Sequence, residues 1–331
     1  MDSVSQAVLG ASIAGIIAPP GQRRRALLAG AALGTLPDLD VLIRYDDVVE
    51  NFTYHRGFSH SILVLVPLSA AIWALLIRLW APARAAPRRW LAAIVLVLAT
   101  HPLLDCHTAY GTQLLWPLAS PPISWATMFI IDPLYTLPLI IGVATAAIRP
   151  LGTIAGRSLA AGLTLSALYI GWSWHAQGIV ERNARESLAA IGIHETRLFV
   201  TPTPFNTLLW RVVALTDYGF LEGLDSLAID DGAIEFQRYS SDVVSLRQAD
   251  NVWAVRRLQW FARGFVSARI DDDRLVISDL RMGQAPVYVF SHVVARSGNP
   301  HWIEIPGERL PVTIDDRALG DVFRRIWTDA P

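Results

Sequence analysis

The sequence predicts a polytopic α-helical membrane domain followed by a small, antiparallel, β-rich soluble domain. Three observations carry that expectation. The 331-residue chain is 53% hydrophobic and 17% charged, with a mean hydropathy of +0.37, against about 25% charged residues in an ordinary soluble domain. Four segments, near 59–80, 90–105, 131–148 and 158–176, approach the roughly 17 to 25 apolar residues that cross a bilayer core as a helix. From about residue 195 the texture changes to short β-branched and aromatic stretches, such as "LLWRVVAL" and "VYVFSHVVA", punctuated by "DYG", "DDG", "DDDR" and "RSGNP" turns.

Charge follows the same division. The net charge of −1 averages a stretch, 58–180, that is almost free of acids, and a stretch, 217–331, rich in Asp, Arg and Glu. All 28 basic residues are Arg, a pattern that fits an Arg-rich coding bias as well as any phosphate-binding specialisation. The lone cysteine, Cys106, forms no internal disulfide, so no redox compartment is implied.

Taken in order, residues 4–36 hold two short apolar pieces joined by "PPGQRRR". Gly30 and Gly34 form a G-x-x-x-G pair, and Gly10/Ala14 and Ala11/Gly15 are small-x-x-x-small pairs that let helices approach closely, so a tight helical hairpin is expected. A signal peptide is disfavoured, because the basic residues follow the apolar piece and Asp2 precedes it. Arginines set the expected orientation. Arg23–Arg25, then Arg78, Arg84, Arg88 and Arg89, then Arg149 and Arg157, mark three cytoplasmic loops. By alternation 37–58, 106–130 and everything beyond about 176 fall outside. Trp80 and Trp90 then lie at one interface, and Trp116, Trp125, Trp172 and Trp174 near the other. Residues 177–194 read as a helical extension ending at Gly192, 195–331 as an extracytoplasmic β-rich domain, and the acids and arginines after 314 as a solvated helix.

On this topology the polar residues of the first half gather at one end. Asp38, Asp40, His55, His60, His101, Asp105 and Asp132 all fall at outer helix ends or in outer loops. Ionisable groups at a membrane are costly and usually functional. A mixture of imidazoles and carboxylates is a ligand set for Zn, Mn or non-haem Fe, not for Ca. In "LPDLD", Pro37 ends the preceding helix at Leu36, and an extended continuation puts Asp38 and Asp40 on one side. A solvated acidic loop has the same sequence. In "HRGFSH", Gly57 permits a bend that lets His55 and His60 converge, and Ser59 caps the following span. In "HPLLD", the i, i+4 spacing places His101 and Asp105 on one helical face. That suits two ligands of one metal, a carboxylate orienting a ligand histidine, or a buried His–Asp bond without metal. Asp132 before Pro133 is equally a helix N-cap or a ligand. Cys106, His107, Thr108 and His175 read as structural or exposed neighbours.

The phrases "MDSVSQAVLGA", "GTLPDLDVL", "YHRGFSHS", "HPLLDCHTAYGTQLLWP" and "FIIDPLYTLPL", in this order and spacing, resemble the YdjM-like family of membrane-bound metal-dependent hydrolases. "TPTPFNTLLWRVV", "WFARGF" and "ISDLRMG" resemble the soluble region of its longer members. The resemblance implies a metal-dependent hydrolase of the bacterial inner membrane, with candidate ligands Asp38, Asp40, His55, His60, His101 and Asp105. His107 lies outside that pattern.

The combined expectation is a multi-pass membrane hydrolase that uses metal-activated water at the outer membrane interface. Six ligands exceed one tetrahedral Zn, favouring two ions or an octahedral one, with Zn or Mn the expected metal. Arg56 is the expected stabiliser of developing negative charge, and Asp105 and Asp132 are further catalytic candidates. Arg263, Asp279 and Arg281 are candidate substrate contacts, Arg being suited to phosphate. A site at a lipid interface points to membrane lipids as surroundings and a lipid or lipid-linked phosphoester as substrate. No phosphate-cradling glycine loop, zinc knuckle or nucleic-acid motif is present, and the interspersed acids argue against a nucleic-acid partner. Two rivals share some features: a metal-sensing scaffold has the same ligands without turnover, and a transporter carries intramembrane charges but usually along a pathway, with inverted repeats.

Overall fold

The computed structural model describes residues 1–312 and 316–328. Its first half is a helical bundle. Helix α1 (Ser3–Ile17) starts where the Asp2 carboxylate accepts hydrogen bonds from the Val4 and Ser5 amides, and stops before Pro19. Helix α2 (Arg23–Thr35) returns beside it. The two lie backbone to backbone: a Cβ placed on Gly30 would stand 2.2 Å from the Gly10 carbonyl oxygen, and one on Gly34 would stand 2.4 Å from that of Gln6. Only glycine fits at these crossings. Gly30→Ala is expected to destabilise the protein by about 1–3 kcal/mol through overpacking, read as a lowered midpoint of chemical unfolding.

After α2 the chain turns through a 3₁₀ segment (Pro37–Leu42) into α3 (Val48–Tyr54), then a second 3₁₀ turn (Phe58–His60) into α4 (Ile62–Leu79). Helices α5 (Ala81–Arg84), α6 (Pro87–Asp105), α7 (Pro133–Ile148) and α8 (Thr153–Ala190) complete the bundle. Arginine-bearing turns are stitched together at the end where α2, α6 and α8 begin. Arg23 Nη1 donates to the Pro150 carbonyl (2.7 Å), Gln22 Nε2 to that of Pro82 (2.8 Å), and Trp90 Nε1 to Gln22 Oε1 (2.8 Å).

The expectation of a polytopic helical membrane domain is corrected here. Two helices among the described residues, α4 and α8, are long and apolar enough to cross a membrane. The segment 90–105 lies in α6, where Trp90, Ala93, Ile94, Val97 and Leu98 are each at most 1% exposed. Its apolarity serves protein packing, and hydropathy alone does not separate a buried core helix from a lipid-facing one. Helix α7, at 16 residues, is shorter than about 17, the lower bound for a span. The stretches 158–176 and 177–190 form one uninterrupted 38-residue helix, followed by Gly192 at φ +83°, a left-handed stop.

The second half contains two antiparallel sheets. Strands β1 (Leu198–Pro202), β2 (Leu209–Thr216), β3 (Gly219–Ser226) and β4 (Gln237–Ser240) pair in sequence order. Two helices, α9 (Val243–Gln248) and α10 (Trp253–Phe261), lead to β5 (Val266–Asp271) and β6 (Arg274–Asp279). A small β7 (Gly283–Gln284) and β8 (Val287–Tyr288) ribbon precedes β9 (Ser291–Arg296) and β10 (Ile303–Arg309), giving the order β10-β9-β6-β5. Helix α11 (Asp316–Arg325) follows.

Two contacts join the halves. Ala176, Val180 and Ala184 of α8 pack under Val200, Trp210 and Val212 of the first sheet. Val49 and Phe52 of α3 enter the core formed by α10 and the second sheet, with the Phe52 and Phe261 rings 4.9 Å apart. The segment between α2 and α4 is therefore held from both sides.

Candidate metal centre

Four side chains converge at the end of the bundle opposite the arginine turns. Asp38 comes from the first 3₁₀ segment, His60 from the second, and His101 and Asp105 from the last turn of α6. His60 Nε2 lies 3.1 Å from His101 Nε2 and 3.1 Å from Asp105 Oδ2, and His101 Nε2 lies 3.4 Å from that oxygen. Asp38 Oδ1 is 3.4 Å from each imidazole nitrogen. Four ligands on a tetrahedral ion with bonds of about 2.0–2.2 Å stand roughly 3.3–3.6 Å apart, close to these spacings.

The hydrogen bonds behind the cage decide what its atoms carry. His101 Nδ1 is 2.6 Å from the Gly34 carbonyl oxygen, which only accepts, so that nitrogen holds the proton and Nε2 presents a lone pair. Ser59 Oγ donates to Asp40 Oδ2 (2.7 Å) and so accepts from His60 Nδ1 (2.9 Å), leaving His60 Nε2 a lone pair too. Two lone pairs 3.1 Å apart do not bond to each other, and either a proton or a metal ion between them relieves the contact. Asp105 Oδ2, buried beside them, has no hydrogen-bond partner among the described residues. A cation satisfies all three atoms at once, and the donor set suits a first-row divalent ion.

Around the cage stand residues that position it. Asp40 accepts from Ser59, from the Arg56 amide (2.9 Å) and from His55 Nδ1 (2.9 Å). Burial works to raise its pKa, but the His55 bond and the neighbouring imidazoles win and hold it below the usual carboxylate value. Gln6 Nε2 donates to Asp105 Oδ1 and to the His101 carbonyl, both at 3.1 Å, and the Met1 amino group also bonds Asp105. Arg56, at φ +59°, sends Nη1 to Thr108 Oγ1 (3.0 Å) and Nη2 to within 3.4 Å of Asp105 Oδ1.

The sequence-derived candidates thus separate. Asp38, His60, His101 and Asp105 form the cage, while Asp40 and His55 stand behind it as a bonded pair. The extended geometry expected at Asp38 and Asp40 is a 3₁₀ turn instead, which sends the two carboxylates to different partners. Asp132 lies outside the cage, accepting from the Leu134 and Tyr135 amides and from the Tyr169 hydroxyl (2.8 Å), the work of an N-cap. Arg263 is exposed, its carbonyl bonded by Arg197. Asp279 and Arg281 form a buried pair at 2.6 Å. Ser59, expected as a cap, is the link between His60 and Asp40; the cap of α4 is Ser61. Ser59→Ala is expected to weaken metal binding about 10- to 100-fold, as losses behind a ligand histidine do, measured by competition with a chelator.

A cavity of about 1180 Å³ lies between this end of the bundle and the sheets. Asp40, His55 and Arg56 border it on the cage side, and Arg211, Arg281 and His292 on the other. His292 is 1% exposed, and burial, aided by the Arg309 charge, pushes its pKa down to about 4. Such a depressed imidazole adds stability above its unfolded pKa of about 6.5. That contribution, on the order of 3 kcal/mol, is lost as pH falls from there through the folded value. Denaturant unfolding of wild type at pH 7 and pH 5 is expected to show a larger loss than for His292→Phe.

Two membrane-length helices, α4 and α8, in a bundle with a carboxylate–imidazole cage at one end fit a metal-dependent membrane protein. The family model for the YdjM inner membrane protein matches residues 1–180, more than half of the chain. The chain belongs to that family. It is also 24% identical over 323 residues to the uncharacterized protein YfhP of Bacillus subtilis (strain 168), covering 92% of this chain and 95% of YfhP. No solved structure matches.

Proposed function

We propose that this protein is a metal-dependent hydrolase acting at the membrane interface on an amphiphile, a lipid or lipid-linked phosphoester. The observation that carries the reading is the junction of cage and cavity. Arg56 touches Asp105 on one side and borders the cavity on the other. Of the four cage side chains only Asp38 is open to solvent, at 19%, the others being fully buried.

Asp38, His60, His101 and Asp105 would hold the ion, Zn or Mn by donor type. When bound, such an ion supplies Lewis acidity and makes water a competent nucleophile at neutral pH. The chain's own residues do the rest. Asp40 and Ser59 keep the His60 proton on Nδ1. Gly34 does the same for His101. Arg56 sets a fixed positive charge where a leaving or attacked oxygen gains negative charge. Phe129, Ile130, Phe205 and Val289 give the cavity an apolar wall against which an acyl chain would pack. Arginine turns at the far end of the bundle support placing that end in the cytoplasm and the cage at the outer interface.

The test is elemental analysis of purified protein followed by incubation with a bacterial lipid extract. Stoichiometric Zn or Mn and release of a lipid headgroup or phosphate are expected. Absence of metal sinks the reading, and metal without turnover of any lipid or ester replaces it with a metal-sensing scaffold.

A further inference from the structure

We infer that the cavity between the bundle and the sheets binds an anionic amphiphile, its headgroup held by Arg211 and Arg281 of the β region. The inference rests on the hydrolase reading in one respect: it names the substrate class for that same site.

Both guanidinium groups are buried, 3% and 1% exposed, and both line the cavity. Arg211 Nη2 donates to Glu222 Oε2 (2.6 Å) and to the Leu280 carbonyl (2.8 Å), while its Nε and Nη1 find no acceptor among the described residues. Arg281 spends Nε and Nη2 on Asp279 (2.9 and 2.6 Å), and its Nη1 likewise finds none. Arg56 Nε, across the cavity, is in the same condition. The carboxylate partners fix Nη2 of Arg211 and the Nε–Nη2 edge of Arg281, and leave the remaining N–H groups as unanswered donors. Buried donors without acceptors are unfavourable and rare, and planar guanidinium edges match phosphate or carboxylate oxygens.

The wall argues for more than a free ion. Phe129, Ile130, Phe205 and Val289 line the same space, and about 1180 Å³ exceeds the roughly 300–1,000 Å³ of ordinary ligand sites. An inorganic anion leaves that surface uncovered, whereas a headgroup carrying an alkyl chain covers it. Arg309, with its guanidinium 4.6 Å from the Phe290 ring centre, adds a further positive charge at the cavity border.

The experiment uses the full chain in phosphatidylcholine nanodiscs, with empty discs subtracted, and titrates monododecyl phosphate, dodecanol and inorganic phosphate by calorimetry. Monododecyl phosphate is expected to bind at least about tenfold tighter than either other compound. Arg281→Gln and the paired Arg211→Gln/Glu222→Gln variant, which removes both members of a buried ion pair, are each expected to weaken it about tenfold. Circular dichroism melts identify any variant that fails to fold, in which case Arg281→Lys, which keeps the charge but loses the fork, supplies the comparison. Equal binding of inorganic phosphate makes this a free-anion site, and equal binding of dodecanol removes headgroup recognition; either overturns the inference. Unchanged affinity in the arginine variants does the same. His101→Ala separates the two readings: binding kept there, without metal, supports the arginine site, and binding lost there assigns the anion to the cage. A wild type that binds monododecyl phosphate but holds no metal sinks the hydrolase and leaves this inference standing.

Discussion

His101→Ala is expected to leave a protein without stoichiometric metal and without measurable hydrolysis. The side chain contributes one of four ligand atoms, and its Nδ1 bond to Gly34 ties the cage to the α1–α2 crossing. Removing it leaves Asp38 and Asp105 facing each other with one imidazole between them. Three remaining ligands bind a divalent ion far more weakly, and two neighbouring carboxylates repel when no cation intervenes. Elemental analysis and thermal melting of the variant with and without added Zn check both effects. Wild-type metal content in the variant ends the four-ligand assignment. A melting temperature that responds to Zn in wild type, and no longer in the variant, is the linked thermodynamic signature.

Arg56→Ala is expected to cost about 10²–10³ in turnover, the usual loss when one donor to a developing oxyanion is removed, with metal content kept. The separation matters because Arg56 touches Asp105 but is not a ligand. Its left-handed backbone, φ +59°, lets the same residue give its amide to Asp40 and its guanidinium to Thr108. Non-glycine residues persist in that region when their surroundings demand it. Arg56→Lys is expected to recover little, since an ammonium lacks the planar fork that reaches Thr108 and Asp105 together. Turnover unchanged in Arg56→Ala, measured with metal verified, removes Arg56 from the chemistry.

Local spacing made part of this site legible. His101 and Asp105 are four apart in one helix, and the structure puts their ligand atoms 3.4 Å apart. Gly57 and Pro37 advertised turns, though not which carboxylate or imidazole each turn would aim inward. Asp40 and His55 have the same residue types as true ligands and sit two and five positions from them, so composition cannot distinguish a ligand from its support. Ser59 was invisible for the opposite reason, because a serine before an apolar helix has an ordinary capping role. The cavity was unreadable as a unit: Arg56 and Arg281 stood out singly, but no local spacing links them to each other or to Arg211 and His292, which come from separate parts of the chain. The two misread spans failed for different reasons, α7 by its length of 16 residues and α6 by burial. Trp90, Val97 and Leu98 are as apolar as any lipid-facing residues, and only tertiary structure reveals that they face other helices.

Helix α8 runs 38 residues without interruption, about 57 Å at 1.5 Å per residue, nearly twice a hydrocarbon core of about 30 Å. Whatever part lipid covers, a comparable length stands clear of it as a stiff mast, with the first sheet bolted along its side by Trp210 and Val212. The first sheet is thereby fixed to that rod while α3 grips the second, so swinging the β layer aside would mean breaking two separate apolar contacts at once.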